Sequence, residues 1–252
     1  MRPDKSLGQH FLRDPDVLAD IAAIADVGRS SGALEIGPGE GALTAFLVGA
    51  GVPVVAIDKD PRALDALATR FGDKVRVVLG DAAHDDLAPL LPGPGAVVVG
   101  NLPYNVASVI HRRVLALGHT AKLARAVLMF QREVALRIVA GPGSRDFGVP
   151  SILTAVAARA WIVRDVSPRA FSPPPKVDSA VVLVEPLPAP LVPAAELEAF
   201  ASFVASIFQQ RRKTLGNALG AQRARLDAVG IDPGLRAEQL AVADFVRLFR
   251  AA

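Results

Sequence analysis

Short apolar runs alternate with stretches of helical periodicity through the first half of the chain. The apolar runs cover residues 33–37, 52–57, 75–79, 96–100 and 125–130. Runs that are apolar at successive positions are typical of buried parallel strands, because helices cover both faces of such a sheet. The alternation therefore predicts an α/β fold with a doubly wound, mostly parallel sheet.

The pattern changes after Phe130. Helical spacing over residues 134–138 leads into a polar, glycine-containing loop at 141–148. Two further strand-like runs lie near residues 160–166 and 180–184. We expect these two strands to extend the same sheet.

The last quarter of the chain begins with prolines. Four of them fall within residues 186–193 and predict a stiff connector. The pattern from Glu196 onward is helical. We therefore expect a larger domain over residues 1–187 and a small all-helical C-terminal domain over residues 194–252.

A glycine-rich turn follows the first apolar run, at residues 37–41. A dinucleotide fingerprint needs Gly-x-Gly-x-x-Gly, so that a pyrophosphate can sit on the helix N-terminus. Here Gly41 comes one residue early, and Ala42 stands at the position of the third glycine. Glu35 and Glu40 flank the turn with negative charge, which suits a sulfonium and an ammonium better than a diphosphate. These features predict a site for S-adenosylmethionine.

Two aspartates end the next two apolar runs. Asp58 lies about twenty residues after the glycine turn, where an acid can bind ribose hydroxyls. Asp81 can accept a hydrogen bond from the adenine amine of the cofactor. Each aspartate alone is equally typical of a helix cap or a turn. Successive strands that all end in such features at one edge favour the binding role.

The fourth apolar run ends in the tetrapeptide Asn101-Leu102-Pro103-Tyr104. The exocyclic amine of adenine is a poor nucleophile, and the Asn101 side-chain oxygen and the Leu102 carbonyl can accept its hydrogen bonds as positive charge develops. Pro103 restricts the turn, and Tyr104 offers a flat face for a base. Taken alone, the tetrapeptide is also typical of an ordinary strand-ending turn. With the glycine turn upstream, it favours methyl transfer to an amine.

Five segments together give the chain a resemblance to a known family. The chain resembles the rRNA adenine N6-dimethyltransferases, most closely the bacterial enzymes of the small ribosomal subunit. The segments that carry the resemblance cover residues 5–12, 35–44, 101–104, 171–179 and 210–214. The resemblance implies a Rossmann-like class I methyltransferase fold, with a mostly parallel seven-stranded sheet and a small all-helical C-terminal domain.

The resemblance also assigns roles to individual residues. It implies that residues of the N-terminal segment touch the cofactor, that Asn101 serves both cofactor and target amine, and that Phe171 closes on the target base opposite Tyr104. The candidate cofactor site comprises His10, Leu12, Glu35, Gly37, Gly39, Asp58, Asp81 and Asn101. The candidate catalytic set comprises Asn101, Leu102, Pro103, Tyr104 and Phe171.

Two positions depart from the family pattern, and one segment has competing interpretations. Position 58 is Asp where many relatives carry Glu, and position 10 is His where others carry Asn. The proline-rich stretch after Phe171 favours a rigid strut that presents this ring to a base. Core packing of Phe171, or a polyproline ligand for another domain, would also explain the stretch.

The charge distribution says more than the net charge of +3. Two groups of cations predict contacts with RNA phosphates, which position a nucleic acid without reading its sequence. An ordinary solvated helix face, or an anchor for the C-terminal helices, would also explain such a group. The candidate RNA-binding residues are Arg132, Arg137, Arg145, Arg211, Arg212 and Lys213.

Composition excludes several classes of site. The chain of 252 residues has no cysteine, so it has no disulfide and no thiolate zinc site. Its four histidines show no metal-ligand spacing, and we expect no metal. Its longest apolar stretch is broken by charges, prolines and glycines, and no signal sequence follows Met1. We expect a cytoplasmic protein and, by default, a monomer.

These observations predict an S-adenosylmethionine-dependent N6,N6-dimethyltransferase. The resemblance implies that its substrate is 16S rRNA in the small ribosomal subunit or its precursor, with two adjacent adenosines in the 3′-terminal hairpin as targets. A large-subunit rRNA methylase that confers antibiotic resistance is one alternative. A DNA adenine or protein-amide methyltransferase is another, and a ribosome-assembly factor without essential catalysis is the third.

Overall fold

The strands and helices of the chain follow the predicted alternation closely. The computed structural model describes residues 9–251. The strands are β1 Phe11–Leu12, β2 Ala33–Ile36, β3 Val54–Asp58, β4 Val75–Leu79, β5 Val97–Asn101, β6 Arg125–Gln131, β7 Ala158–Val166, β8 Phe171–Ser172 and β9 Ser179–Pro186. The α-helices are α1 Pro15–Ile24, α2 Ala42–Gly49, α3 Pro61–Phe71, α4 Ala107–Thr120, α5 Arg132–Val139, α6 Val149–Ala157, α7 Leu197–Phe208, α8 Leu215–Leu219, α9 Ala224–Val229 and α10 Val242–Arg250.

Within the described residues, seven strands form one sheet, in the order β4-β3-β2-β5-β6-β9-β7. The pairs β2–β3, β2–β5, β3–β4 and β5–β6 are parallel, whereas β9 runs antiparallel to both β6 and β7. The predicted doubly wound, mostly parallel sheet is therefore confirmed. Because β2 to β6 are parallel, the residues that follow each of them meet at one edge of the sheet.

Both faces of this sheet are buried, which explains the continuous apolar runs. Leu34 and Val98 pack into one core with α4 and α6, while Ala33 and Val97 pack into a second core with α1 and α2. Successive side chains of a strand point to opposite faces. Alternate residues of the central strands therefore contribute to different cores.

The described C-terminal residues are helical, as expected, and they pack directly on the sheet-bearing part. The ring centroids of Phe147 and Phe208 lie 6.3 Å apart, and those of Phe147 and Phe245 lie 6.5 Å apart. The amide of Leu191 in the proline stretch donates to the Val156 carbonyl at 2.8 Å. One core thus continues into the C-terminal helices, and the domain boundaries at 1–187 and 194–252 stay a prediction.

Helix α6 is one of the elements that the hydrophobic pattern left unassigned. Pro150 lies in its first turn, and the Ser151 hydroxyl accepts from the Gly148 amide at 3.1 Å. Proline in a first turn is a sequence signal for a helix start. None of the helices within residues 9–251 combines the length and apolar character needed to cross a bilayer.

Candidate active site

The carboxyl edge of the parallel strands borders a cleft of about 730 Å³ that opens to solvent. The last residue of β3 and the loops after β2, β4 and β5 each contribute a predicted residue to its wall, and the N-terminal segment also lines it. The predicted residues in this wall are His10, Gly37, Gly39, Asp58, Asp81, Asn101, Leu102, Pro103 and Tyr104. Residues 5–8 of the N-terminal motif lie outside the described residues.

The glycine turn has three residues without a side chain, and two of them, Gly37 and Gly39, line the cleft. Gly37 has a φ of +69° and Gly39 a φ of +54°, both in the left-handed region that favours glycine. A Cβ on Gly37 would stand 3.6 Å from the Asn101 carbonyl oxygen, in the space between the two loops. A Cβ on Gly39 would come within 2.8 Å of the Phe11 ring. The backbone therefore forms a cradle that Phe11 covers.

A second, smaller lobe of about 390 Å³ adjoins the cleft and shares Phe11, Gly37 and Asn101 with it. Leu12 and Glu35 line this lobe. Glu35 is buried at 2% exposure, and Thr44 Oγ1 donates to its Oε2 at 2.6 Å. Burial raises the pKa of Glu35 to about 7, against the hydrogen bond from Thr44. A cationic group in this lobe would favour the ionised carboxylate.

The pKa values of the two aspartates are shifted in opposite directions. Asp58 accepts from the amides of Asp60 at 2.9 Å and Gly39 at 3.3 Å, and burial raises its pKa against these donors. Asp81 accepts from the Ala83 amide at 2.9 Å and lies 3.3 Å from His84 Nδ1. Burial acts to raise the pKa of Asp81, but these two donors hold it below its ordinary value. Asp81 thus also serves as a turn residue.

The side chain of Asn101 is oriented by the N-terminal segment. Its Nδ2 donates to the His10 carbonyl at 2.8 Å. A carbonyl can only accept, so this contact fixes which end of the amide faces His10. The Oδ1 atom at the other end is the acceptor that the predicted chemistry requires. Leu102, which follows Asn101, buries its side chain at 1% exposure.

The ring of Tyr104 is held at two points. Its hydroxyl lies 2.7 Å from the hydroxyl of Ser179, and its ring stacks on the His10 imidazole with centroids 5.6 Å apart and planes 27° apart. His10 Nδ1 in turn donates to the Pro173 carbonyl at 2.9 Å. Sequence reasoning assigned no role to Ser179. The signal that could have pointed to such a partner is that the hydroxyl of a half-buried tyrosine usually needs a hydrogen bond.

The structure buries Phe171 away from the residues that line the cleft, and its expected role opposite Tyr104 stays a prediction. Phe171 is 4% exposed and packs in the core with Leu12 and Val17. Its strand β8 pairs with β1, with Phe171 opposite Leu12. The backbone pairing directs this ring into the core, and His10 is the ring that faces Tyr104.

The candidate RNA-binding cations fall into two groups. Acids lie near four of them, at Arg132–Asp165 (3.0 Å), Arg137–Glu133, Arg145–Asp146 (3.8 Å) and Arg211–Glu238 (2.7 Å). Arg211 also donates to the Arg145 carbonyl at 2.8 Å, so it anchors the turn after α7. Arg212 and Lys213 are exposed and have no ion-pair partner within residues 9–251.

The cleft fits the expected cofactor. Its acids match the positive charges of S-adenosylmethionine, and Gly37 leaves room for the close approach of a ligand. Within residues 9–251, no group of three or more histidine or acidic side chains is arranged to hold a metal ion.

Fold and cleft define the class first. The structure of the 23S rRNA methyltransferase ErmE is similar to this one, with a TM-score of 0.70 and 28% identity. The similarity covers 96% of this chain and 98% of the ErmE chain. A dimethyladenosine transferase from Plasmodium falciparum shares the fold with a TM-score of 0.72 over 95% of this chain and 96% of its own, at 24% identity. The chain is therefore a class I methyltransferase.

The particular family follows from the sequence comparison. The model of the ribosomal RNA adenine dimethylases matches residues 2–252, and the chain belongs to this family. The ribosomal RNA small subunit methyltransferase A of Syntrophotalea carbinolica is 43% identical over 98% of this chain and 96% of its own length. The protein of the same name from Anaeromyxobacter sp. is 41% identical over 99% and 93%. The predicted family is confirmed, and its cofactor is S-adenosylmethionine.

Proposed function

We propose that this protein transfers methyl groups from S-adenosylmethionine to N6 of adenosines in the RNA of the small ribosomal subunit, twice on each base. The observation that carries the proposal is the oriented amide of Asn101, whose Oδ1 is the acceptor end at the edge of the cofactor cleft. The high identity to small subunit methyltransferases supports the substrate. Two adjacent adenosines in the 3′-terminal hairpin of 16S rRNA are the targets that we propose.

In this proposal, the residues of the chain act mainly by alignment. Asn101 Oδ1 and the Leu102 carbonyl accept hydrogen bonds from the target amine and stabilise the positive charge that develops on it. Tyr104 provides a ring for the base to stack on. S-adenosylmethionine, when bound, supplies the methyl group. Its binding residues would be those of the glycine turn, with Asp58 and Asp81 toward the nucleoside and Glu35 toward the cationic end.

Three properties complete the proposal. We infer that the protein works in the cytoplasm, as a monomer, and that its chemistry uses no metal. The proposed mechanism asks for hydrogen-bond acceptors and for no Lewis acid. Activity that survives a chelator, together with a monomeric mass in solution, is the expected outcome.

The test is transfer of labelled methyl to small ribosomal subunits that lack adenine dimethylation. Large subunits, naked rRNA and duplex DNA are parallel substrates. We expect label as N6,N6-dimethyladenosine in the RNA of the small subunits. No label there, with active cofactor binding, would overturn the proposal.

The large-subunit arm tests a second candidate. The structure of ErmE, a 23S rRNA methyltransferase, is similar over 96% of this chain. Label confined to large-subunit RNA would assign the chain to that activity. Tight binding to small subunits with no label on any substrate would instead indicate an assembly factor.

A further inference from the structure

Ser179 is a buried hydroxyl that contacts the candidate catalytic loop. It is the first residue of β9, has 0% exposure, and its Oγ lies 2.7 Å from the hydroxyl oxygen of Tyr104. A buried hydroxyl needs a hydrogen-bond partner, because leaving it without one costs free energy. Tyr104 is the partner that the structure provides, so the two side chains are coupled.

The contact restricts the orientation of the Tyr104 ring. The tyrosine hydroxyl lies on the axis of the ring, so holding it restrains χ1 and therefore the direction in which the ring points. The stack on His10 restrains the remaining torsion, which sets the plane of the ring, and His10 is itself held by the Pro173 carbonyl. Ser179 and Pro173 both belong to the segment of residues 171–179, which we call the proline segment.

We propose that Ser179 is a positioning residue for Tyr104, and that the proline segment acts on the target base through Tyr104. The inference rests on the proposed function for its link to a base. It gives the proline segment a role that Phe171 cannot have while its ring is buried at 4% exposure. A stacking ring holds a base productively only if its own orientation is fixed.

A purely structural role for Ser179 makes a different prediction. In that case Ser179→Ala would lower thermal stability. It would also lower activity by the same factor in the wild-type protein and in Tyr104→Phe. A positioning role predicts coupling between the two hydroxyls. A double-mutant cycle separates these cases.

The kinetic experiment compares Ser179→Ala, Tyr104→Phe and the double variant on small subunits that lack dimethylation. We expect each single variant to lower kcat/KM for the RNA by about tenfold, the scale of one lost hydrogen bond. The double variant should lose no more than either single one. The affinity for S-adenosylmethionine should stay unchanged in all three. Multiplied losses in the double variant would overturn the proposal.

A spectroscopic measurement tests the contact without using activity. Tyr104 is the single tyrosine of the chain, so the ultraviolet titration of tyrosinate reports on this residue alone. Burial raises the pKa of the Tyr104 phenol, and the hydrogen bond to Ser179 acts in the opposite direction. Ser179→Ala should therefore raise this pKa further. An unchanged titration would overturn the proposal even if activity fell.

Ser151→Ala provides the matched control. Ser151 is also buried, at 2% exposure, and its hydroxyl donates to the Arg137 carbonyl at 2.6 Å, far along the chain from Tyr104. This variant should lose stability without moving the tyrosine titration. If the wild-type protein methylates none of the rRNA substrates, the proposed function fails, and the titration alone then decides whether Ser179 positions Tyr104.

Discussion

The cofactor cleft and the basic surface were predicted from equally short motifs, yet the structure treats them differently. Almost every predicted cleft residue reaches one cavity, and several are fixed there by backbone groups of another segment, as Asn101 is by His10. Most of the predicted cations instead lie beside an acid of the chain, as Arg132 does beside Asp165 at 3.0 Å.

The difference teaches which features make a motif reliable. The carboxyl ends of parallel strands lie at one edge of the sheet, whatever residues the loops contain. Residues at the ends of different strands are therefore close together. An exposed arginine has no such constraint, and its partner is chosen by surface neighbours that are distant in sequence. Arg211, for example, lies 2.7 Å from Glu238.

Among the variants that test this comparison, we expect the largest loss of activity for Asn101→Ala. Asn101→Ala removes the oriented acceptor and should lower kcat by about 100- to 1000-fold, while RNA binding stays close to that of the wild type. Methyl transfer and filter binding on the same subunits measure both quantities. Asn105→Ala, an exposed neighbour, is the control and should retain activity. Equal loss of binding and transfer would make Asn101 a structural residue.

The next prediction concerns Phe171, which the structure buries. Phe171→Ala should lower the free energy of unfolding by about 3–5 kcal/mol, because it leaves a cavity among buried apolar side chains. Phe46→Ala, at a position 37% exposed, should cost much less. Denaturant unfolding measures both changes. If Phe171→Ala instead left stability unchanged and weakened RNA methylation alone, the ring would belong to the base site after all.

Glu35 gives the cleft a pH dependence of known sign. With its pKa at about 7, the carboxylate becomes neutral as the pH falls, and the affinity for the cationic cofactor should fall by up to about tenfold per pH unit below 7. The nearby carboxylate of Asp58, whose pKa is also raised, adds to the effect at lower pH. Calorimetric titration between pH 6 and 8 would measure it. A slope that persists in Glu35→Gln would assign the dependence to another group.

The raised pKa of Glu35 also affects folding stability. The native state holds the proton of Glu35 more tightly than the unfolded chain does, so the stability that this residue contributes falls as the pH rises from about 4.5 through about 7. The melting temperature of the wild type minus that of Glu35→Gln should therefore fall as the pH rises over this range.

The smallest effect is expected on the basic surface. Replacing Arg212 and Lys213 by Ala should weaken RNA binding a few-fold and should lower the salt dependence of binding, because each phosphate contact contributes about 0.7–0.9 to the slope. Arg211→Ala should instead lower stability, since this side chain anchors the turn. An unchanged salt slope in the double variant would place the RNA on another surface.

The sheet and the cleft could be predicted from the sequence. The apolar runs identify the strands, and parallel strands place the residues at their carboxyl ends at one edge of the sheet. The sequence could not predict how side chains would compete for partners. Phe171 was expected at the base, but the pairing of β1 with β8 buries it. His10 was expected to touch the cofactor, but its ring also stacks on Tyr104. Helix α6 was left unassigned, and its buried residues include two polar ones, Ser151 and Thr154, that interrupt the apolar pattern.

The pairing of β1 with β8 also bears on the order in which the protein is made. It joins Phe11 to Ser172, and the contact between His10 and Pro173 spans 163 positions. Contacts of such high sequence separation form late, because the intervening chain must first be ordered. During synthesis the wall formed by residues 9–12 therefore cannot be completed until roughly the first two-thirds of the chain has emerged from the ribosome. A nascent chain shorter than that has the glycine turn but an open cleft.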